Sequence, residues 1–182
     1  MNEFLLSLHV IAAILLVGPV TIATSLFPRY ARQVVRARSE VGAASPTDAA
    51  VESQVEPQAL GAAAVLHRVS RVYGRIALLV PTLGIITAIS MKVIGDAWVL
   101  VSISLTLAAA VLLGAIVLPG QTALMTWLTG RTSEPPSNAF QLRATKQLAM
   151  VSGIFALLWV IVVVLMIVRP GSSAVPGSVA YH

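Results

Sequence analysis

Four runs of about 20 predominantly apolar residues, at 4–27, 72–94, 97–118 and 148–168, constrain this chain more than anything else in it. A hydrocarbon core about 30 Å thick is crossed by a helix of roughly 20 residues. Inside it every backbone N–H and C=O must be satisfied within the segment, which leaves the helix as the economical spanning form. The runs therefore predict an all-α, polytopic membrane protein built as a bundle of four transmembrane helices. Few of the 182 residues are left for anything but connections, so a single domain over 1–170 is expected, with a tail at 171–182. With 57% hydrophobic and 10% charged residues, the composition lies far from a soluble domain, where about a quarter of the residues are charged. Mean hydropathy is +0.89.

Charge placement predicts how the spans thread. Arg29, Arg32, Arg36, Arg38, Arg68, Arg71 and Arg75 follow the first run, and Arg131, Arg143 and Lys146 lie between the third and fourth. Only Lys92 and Arg169 fall in the alternate gaps. Lys and Arg are retained on the cytoplasmic side, so both termini are expected outside, in a multi-pass protein of the bacterial cytoplasmic (inner) membrane. The leader Met1-Asn2-Glu3 carries no positive charge. The run behind it exceeds the roughly 7–15 apolar residues of a signal peptide, so the first span is expected to be kept. Tyr30, Tyr73 and Trp127 then mark the inner interface and Trp98 the outer one, with Trp159 as a packing residue. The pI near 10.5 needs no nucleic acid, because the positive charge sits beside membrane spans where anionic headgroups account for it.

The connections read differently from one another. Residues 39–59 show no sustained period and are expected to form a flexible cytoplasmic loop, with order resuming near Leu60. Arg29, Arg32 and Arg36 repeat at i, i+3 and i+7, as do Arg68, Arg71 and Arg75. Such spacing puts each trio on one helix face, for lipid headgroups or an acidic partner. Gly18-Pro19 and Pro81 with Gly84 predict kinks near the middles of the first two spans. A tight turn at Gly95-Asp96 would join the second and third. Ser102, Thr106, Ala110 and Gly114 recur at every fourth position, a ladder of small residues expected to form a helix-packing seam. Gly84 with Ala88, and Ala149 with Gly153, are shorter versions. Gly130, Pro135 and Pro136 lie in the connection before the fourth span, and the Gly-, Ser- and Pro-rich residues 171–182 read as disordered.

Chemistry-bearing groups are scarce. With no cysteine in the chain, disulfides, thiolate metal sites and iron–sulfur clusters are excluded. No Asp or Glu falls inside a span, and nucleotide-binding, zincin and serine-hydrolase motifs are absent. The chain therefore reads as non-enzymatic. His9 in the first span and His67 at the entry to the second are expected to be separated by something like 20 Å along the membrane normal, too far for one haem to take both. Met91 and Met166, near the outer ends of their spans, would share the depth of His9. Imidazole with thioether suits copper, so His9, Met91 and Met166 form the candidate metal set. The bland alternative has the methionines filling gaps and His67 as an interfacial histidine.

The stretch Leu8-His9-Val10-Ile11-Ala12-Ala13-Ile14-Leu15-Leu16-Val17-Gly18-Pro19 resembles the opening helix of a family of small bacterial integral membrane proteins known as domain of unknown function 2269. More distantly it is similar to the first helix of copper-resistance membrane proteins of the CopD type. That resemblance extends loosely over the four-span layout and implies architecture, with His9 at the matching position as a ligand or structural polar contact. Where the copper-type pattern has tryptophan and a second glycine, this chain has Val17-Gly18-Pro19. Three functions are compatible with these features. The first is an accessory, assembly or scaffolding subunit of a larger membrane complex such as a respiratory one, associating with other membrane-protein subunits or with itself. The second is copper or haem handling through His9. The third is a small-solute permease whose kinks at Pro19 and Pro81 flank Thr21, Thr82 and Thr87.

Overall fold

A computed structural model describes residues 2–40, 46–132 and 136–170. All the regular structure among them is helical: α1 (Asn2–Ala12), α2 (Gly18–Glu40), α3 (Pro46–Ile76), α4 (Leu79–Ser90), α5 (Ala97–Val111), α6 (Leu118–Leu128) and α7 (Asn138–Val168). Widened π-helical turns at Ala13–Val17 and Leu112–Val117 join α1 to α2 and α5 to α6. The result is four long rods, Glu3–Ser39, Glu56–Ser90, Ala97–Leu128 and Asn138–Val168, each long and apolar enough to cross a membrane. Their outward faces are hydrophobic: Ile14 is 67% exposed, Leu157 63% and Ile167 75%. Water would make such a surface sticky, whereas lipid is its natural solvent.

Each rod is longer than its apolar stretch, although the second ends at Ser90, short of the expected 94, because residues 91–96 form the turn into α5. The expected loop over 39–59 is corrected by the structure, since residues 46–59 lie in α3; residues 41–45 are outside the described ones. Packing supplies the reason. Val20, Thr24, Phe27, Ala31 and Val34 of α2 are buried at alternating spacings of four and three, and Ala59, Ala63 and Ser70 continue that rhythm on α3. This is the knobs-into-holes pattern of paired helices, and it carries no hydropathy signal because alanine and serine form the far side. α2 and α3 make the most extensive contact in the bundle. The third rod likewise reaches Leu128, beyond the expected end at 118. The fourth starts at Asn138, where the Ser137 hydroxyl accepts from the Phe140 N–H at 3.4 Å as an N-cap. Pro135 and the tail expected to be disordered at 171–182 lie outside the described residues.

Proline explains three of the interruptions. A proline lacks the N–H that would bond the carbonyl four residues earlier, and its ring collides with that carbonyl. Pro19 and Pro119 each stand two residues beyond a π-helical turn, so the carbonyl each would strike lies inside a turn already widened by an extra residue. Pro81 acts on Ala77, where α3 and α4 part. The Ala77 carbonyl instead accepts from the Val80 N–H at 3.0 Å, one residue short of the helical pattern. The second kink thus sits at Ala77-Leu78. Between α4 and α5 the reversal is carried by Lys92, at φ 58° in the left-handed region, while Asp96 accepts from the amides of Val99 and Leu100.

At the arginine-rich end the four rods are tied together. Arg38 on α2 donates from Nε to Glu56 of α3 at 2.7 Å and from Nη2 to the Leu128 carbonyl, the C-terminus of α6, also at 2.7 Å. Asn138 of α7 donates to the Ser39 hydroxyl at 2.9 Å. A guanidinium on a terminal carbonyl complements the helix dipole as well as bonding it. Arg38→Ala should lower unfolding stability in detergent by roughly 1–2 kcal/mol, since both bonds are charge-assisted but part-exposed. Glu56→Gln should cost less, because the contact to Leu128 remains. Equal losses in thermal unfolding would mean that the ion pair alone matters.

Candidate functional site

The two histidines point into the bundle at opposite ends. His9 is buried, 7% exposed, because α1 packs on α4 and residue 84 has no side chain. A Cβ at Gly84 would lie 3.0 Å from His9 Cε1 and 3.5 Å from both ring nitrogens, so the Cε1 side of the imidazole lies against the glycine. His9 Nδ1 has no hydrogen-bond partner, and the ring's polar neighbour is the main chain of Val80. One turn away Thr87 donates to the Leu5 carbonyl at 3.4 Å. The pairs 9 with 84 and 5 with 87 fix the register of α1 against α4.

That register separates the candidate metal set of His9, Met91 and Met166. Met91 stands just past the end of α4, about 10 Å beyond Gly84 at 1.5 Å per residue. Met166 is on α7, whose extensive contacts are with α2 and α5 rather than α1. Its carbonyl accepts from Arg169 Nε at 3.4 Å. Among the described residues there is no cluster of three His, Cys, Asp or Glu side chains that could hold a metal. His67 lies about 25 Å from the Gly84 level along the second rod, so the two histidines are not a haem pair.

His67 faces into the bundle. Its Nδ1 lies 3.4 Å from Gln121 Oε1, and its ring meets Phe27 at 6.2 Å between centroids with a 50° tilt. Gln121 and Ser70 are each 0% exposed, with Gln121 Nε2 and Ser70 Oγ lacking partners. A glutamine inside the third rod, just past Pro119, is the sequence signal that was available for this junction. It was hidden because the apolar run had already ended at 118.

The arginine trios stand at this same end. Arg29, Arg36, Arg68, Arg71 and Arg75 are exposed, and Arg32 is half-buried with its Nε unpartnered. None of the six has an acidic partner among the described residues. The ladder of Ser102, Thr106, Ala110 and Gly114 divides in two. Ser102 is buried at 2% exposure, while Thr106, Ala110 and Gly114 border a cavity of about 200 Å³ together with Val20, Pro81, Phe155 and Trp159. Nothing lies within 4 Å of a Cβ built at Gly114, and the same is true of Gly153. No neighbouring helix closes on either glycine. Thr21, Thr82 and Thr87 each donate to the carbonyl four residues earlier on their own helix, and none borders that cavity.

No known protein family, curated protein or solved structure matches this chain.

Proposed function

We propose that this protein is a non-enzymatic multi-pass subunit of the bacterial cytoplasmic membrane, serving a larger membrane complex as an accessory, assembly or scaffolding component. The observation that carries the reading is the basic end of the bundle: six arginines without acidic partners among the described residues, on helices that Arg38, Ser39 and Asn138 hold in fixed relation. Prearranged charges select a partner of opposite sign and set its orientation without paying for ordering at the moment of binding. Retention of positive charge places this end in the cytoplasm and both termini outside. Metal handling by His9 is less favoured, because Met91 stands about 10 Å along the second rod from the level of Gly84. So is a permease, because Thr21, Thr82 and Thr87 are satisfied locally. Kinship with the family of domain of unknown function 2269 rests on the residues around His9.

The absence of native cysteine makes topology directly measurable. Ser39→Cys should react with a membrane-impermeant maleimide only after the membrane is opened, and Gly95→Cys in intact spheroplasts. Purification in mild detergent should recover one or more membrane proteins in fixed ratio, and Arg29→Glu with Arg36→Glu should release them. A lone monomer from native membranes would remove the scaffolding reading, and the reverse labelling pattern would invert the topology.

A further inference from the structure

The second and third rods part where their prolines interrupt them, and the space so made has two connected compartments. The inner one is the cavity of about 200 Å³, walled by Val20, Leu113, Phe155 and Trp159. The outer one is an open cleft of about 500 Å³ between Arg71 and Arg75 of α3 and Pro119, Thr122 and Thr126 of the third rod. Arg75, Gly114 and Leu118 border both, so one leads into the other. An apolar cavity of about 150 Å³ stays dry in water and takes up an organic guest instead. A larger one, immersed in lipid, is filled by hydrocarbon.

Charge and length select the guest. Among the described residues no carboxylate borders either compartment, and the two guanidinium groups at the outer one have no acidic partner. Guanidinium matches phosphate geometry through paired N–H donors. From Arg71 inward to Pro81 the rod descends about 15 Å at 1.5 Å per residue, half of a 30 Å hydrocarbon core and hence one leaflet. We propose that this gap is a binding site for a single anionic phospholipid, its phosphate held by Arg71 and Arg75 and one acyl chain lying in the cavity against Trp159. The site goes beyond the scaffolding reading and does not depend on it. It uses two arginines and leaves Arg29, Arg32, Arg36 and Arg68 for a protein partner.

Trp159 gives the site its own reporter. A chain carrying Trp98→Phe and Trp127→Phe retains one tryptophan, in the cavity wall. It is reconstituted in phosphatidylcholine bilayers with a small fraction of phosphatidylglycerol or phosphatidylcholine brominated on the acyl chain, and quenching of Trp159 is read. Two arginines near the surface predict roughly a thirtyfold preference for the anionic quencher. Unbrominated phosphatidylglycerol should compete, and excess inorganic phosphate should not. Arg71→Gln with Arg75→Gln should erase the headgroup preference while leaving the fold intact, since both side chains are exposed. Gly114→Leu projects into open space and should reduce quenching by blocking the passage between compartments. Equal quenching by the two headgroups in the parent chain would overturn the proposal. Displacement by inorganic phosphate alone would also overturn it, by showing an ion site without the acyl chain. Loss of co-purifying proteins with quenching retained would defeat the scaffolding reading and not this one.

Discussion

Phe27→Ala should lower unfolding stability by about 3 kcal/mol, among the largest losses expected of a single truncation in this chain. Phe27 is 0% exposed and sits where α2 meets α3, its ring 6.2 Å from that of His67. In water-soluble cores Phe→Ala costs about 3–5 kcal/mol, combining lost transfer free energy with the cavity left behind. Part of the transfer contribution is missing here, because lipid is as apolar as the bundle interior and association rests on packing. The lower end of the range follows. The position also supports a polar contact. Without the Phe27 ring, the imidazole that faces Gln121 at 3.4 Å loses its backing, and the unpartnered Gln121 Nε2 gains a void beside it. Phe27→Leu keeps most of the volume and should stay within about 1.5 kcal/mol of the parent. Equilibrium unfolding in mixed detergent compares the two variants directly. A Phe27→Ala loss under 1 kcal/mol would show that the junction of α2, α3 and α6 collapses around the gap.

The fold was legible to the extent that hydropathy reports contact with lipid. Each rod overlaps an apolar run read from the sequence, though the second run, 72–94, outlasts its rod by four residues, and Gly18-Pro19, Pro81 and the Gly95-Asp96 turn each stand at or beside an interruption of the helices. Rod length was not legible in the same way. Residues 46–59 are helical and lead into Ala59 and Ala63, which fit against α2, and a helix that packs on protein needs no long apolar stretch. A proline at the end of an apolar run, as Pro119 is, reads as a stop, whereas a π-helical turn lets the helix continue. Site geometry is less legible. Position in a run gives depth only to about two turns, so it sets His9 level with Met91, whereas the residue facing the imidazole is Gly84. His67 meets a residue 54 positions away, and periodicity within one helix carries no information about such a partner. Glycine in a membrane helix suggested close backbones at Gly84, Gly114 and Gly153. In the structure the first receives an imidazole and the other two meet nothing.

Gly84→Leu should disrupt the α1–α4 contact, with a destabilisation of roughly 1–3 kcal/mol or loss of folded protein from the membrane. Even the first added carbon would stand 3.0 Å from His9 Cε1, closer than side-chain carbons normally approach, and a leucine adds three more. The imidazole has little room to yield, being 7% exposed on a helix whose register is also fixed by the Thr87 contact to the Leu5 carbonyl. His9→Ala alone should cost much less, since it removes a buried Nδ1 that has no partner along with the packing of the ring. Combined, His9→Ala with Gly84→Leu should recover most of the loss, the leucine filling the space the ring vacates. The double-mutant cycle should therefore give a coupling above about 1 kcal/mol. Gly153→Leu on α7 is the control: it adds the same side chain at a glycine facing open space and should be tolerated. Strict additivity of the two changes would mean that α1 does not pack on α4 in this register. Rescue of stability in the double variant has a second use. Any activity later assigned to His9 can be tested in a chain that lacks the imidazole and is still folded.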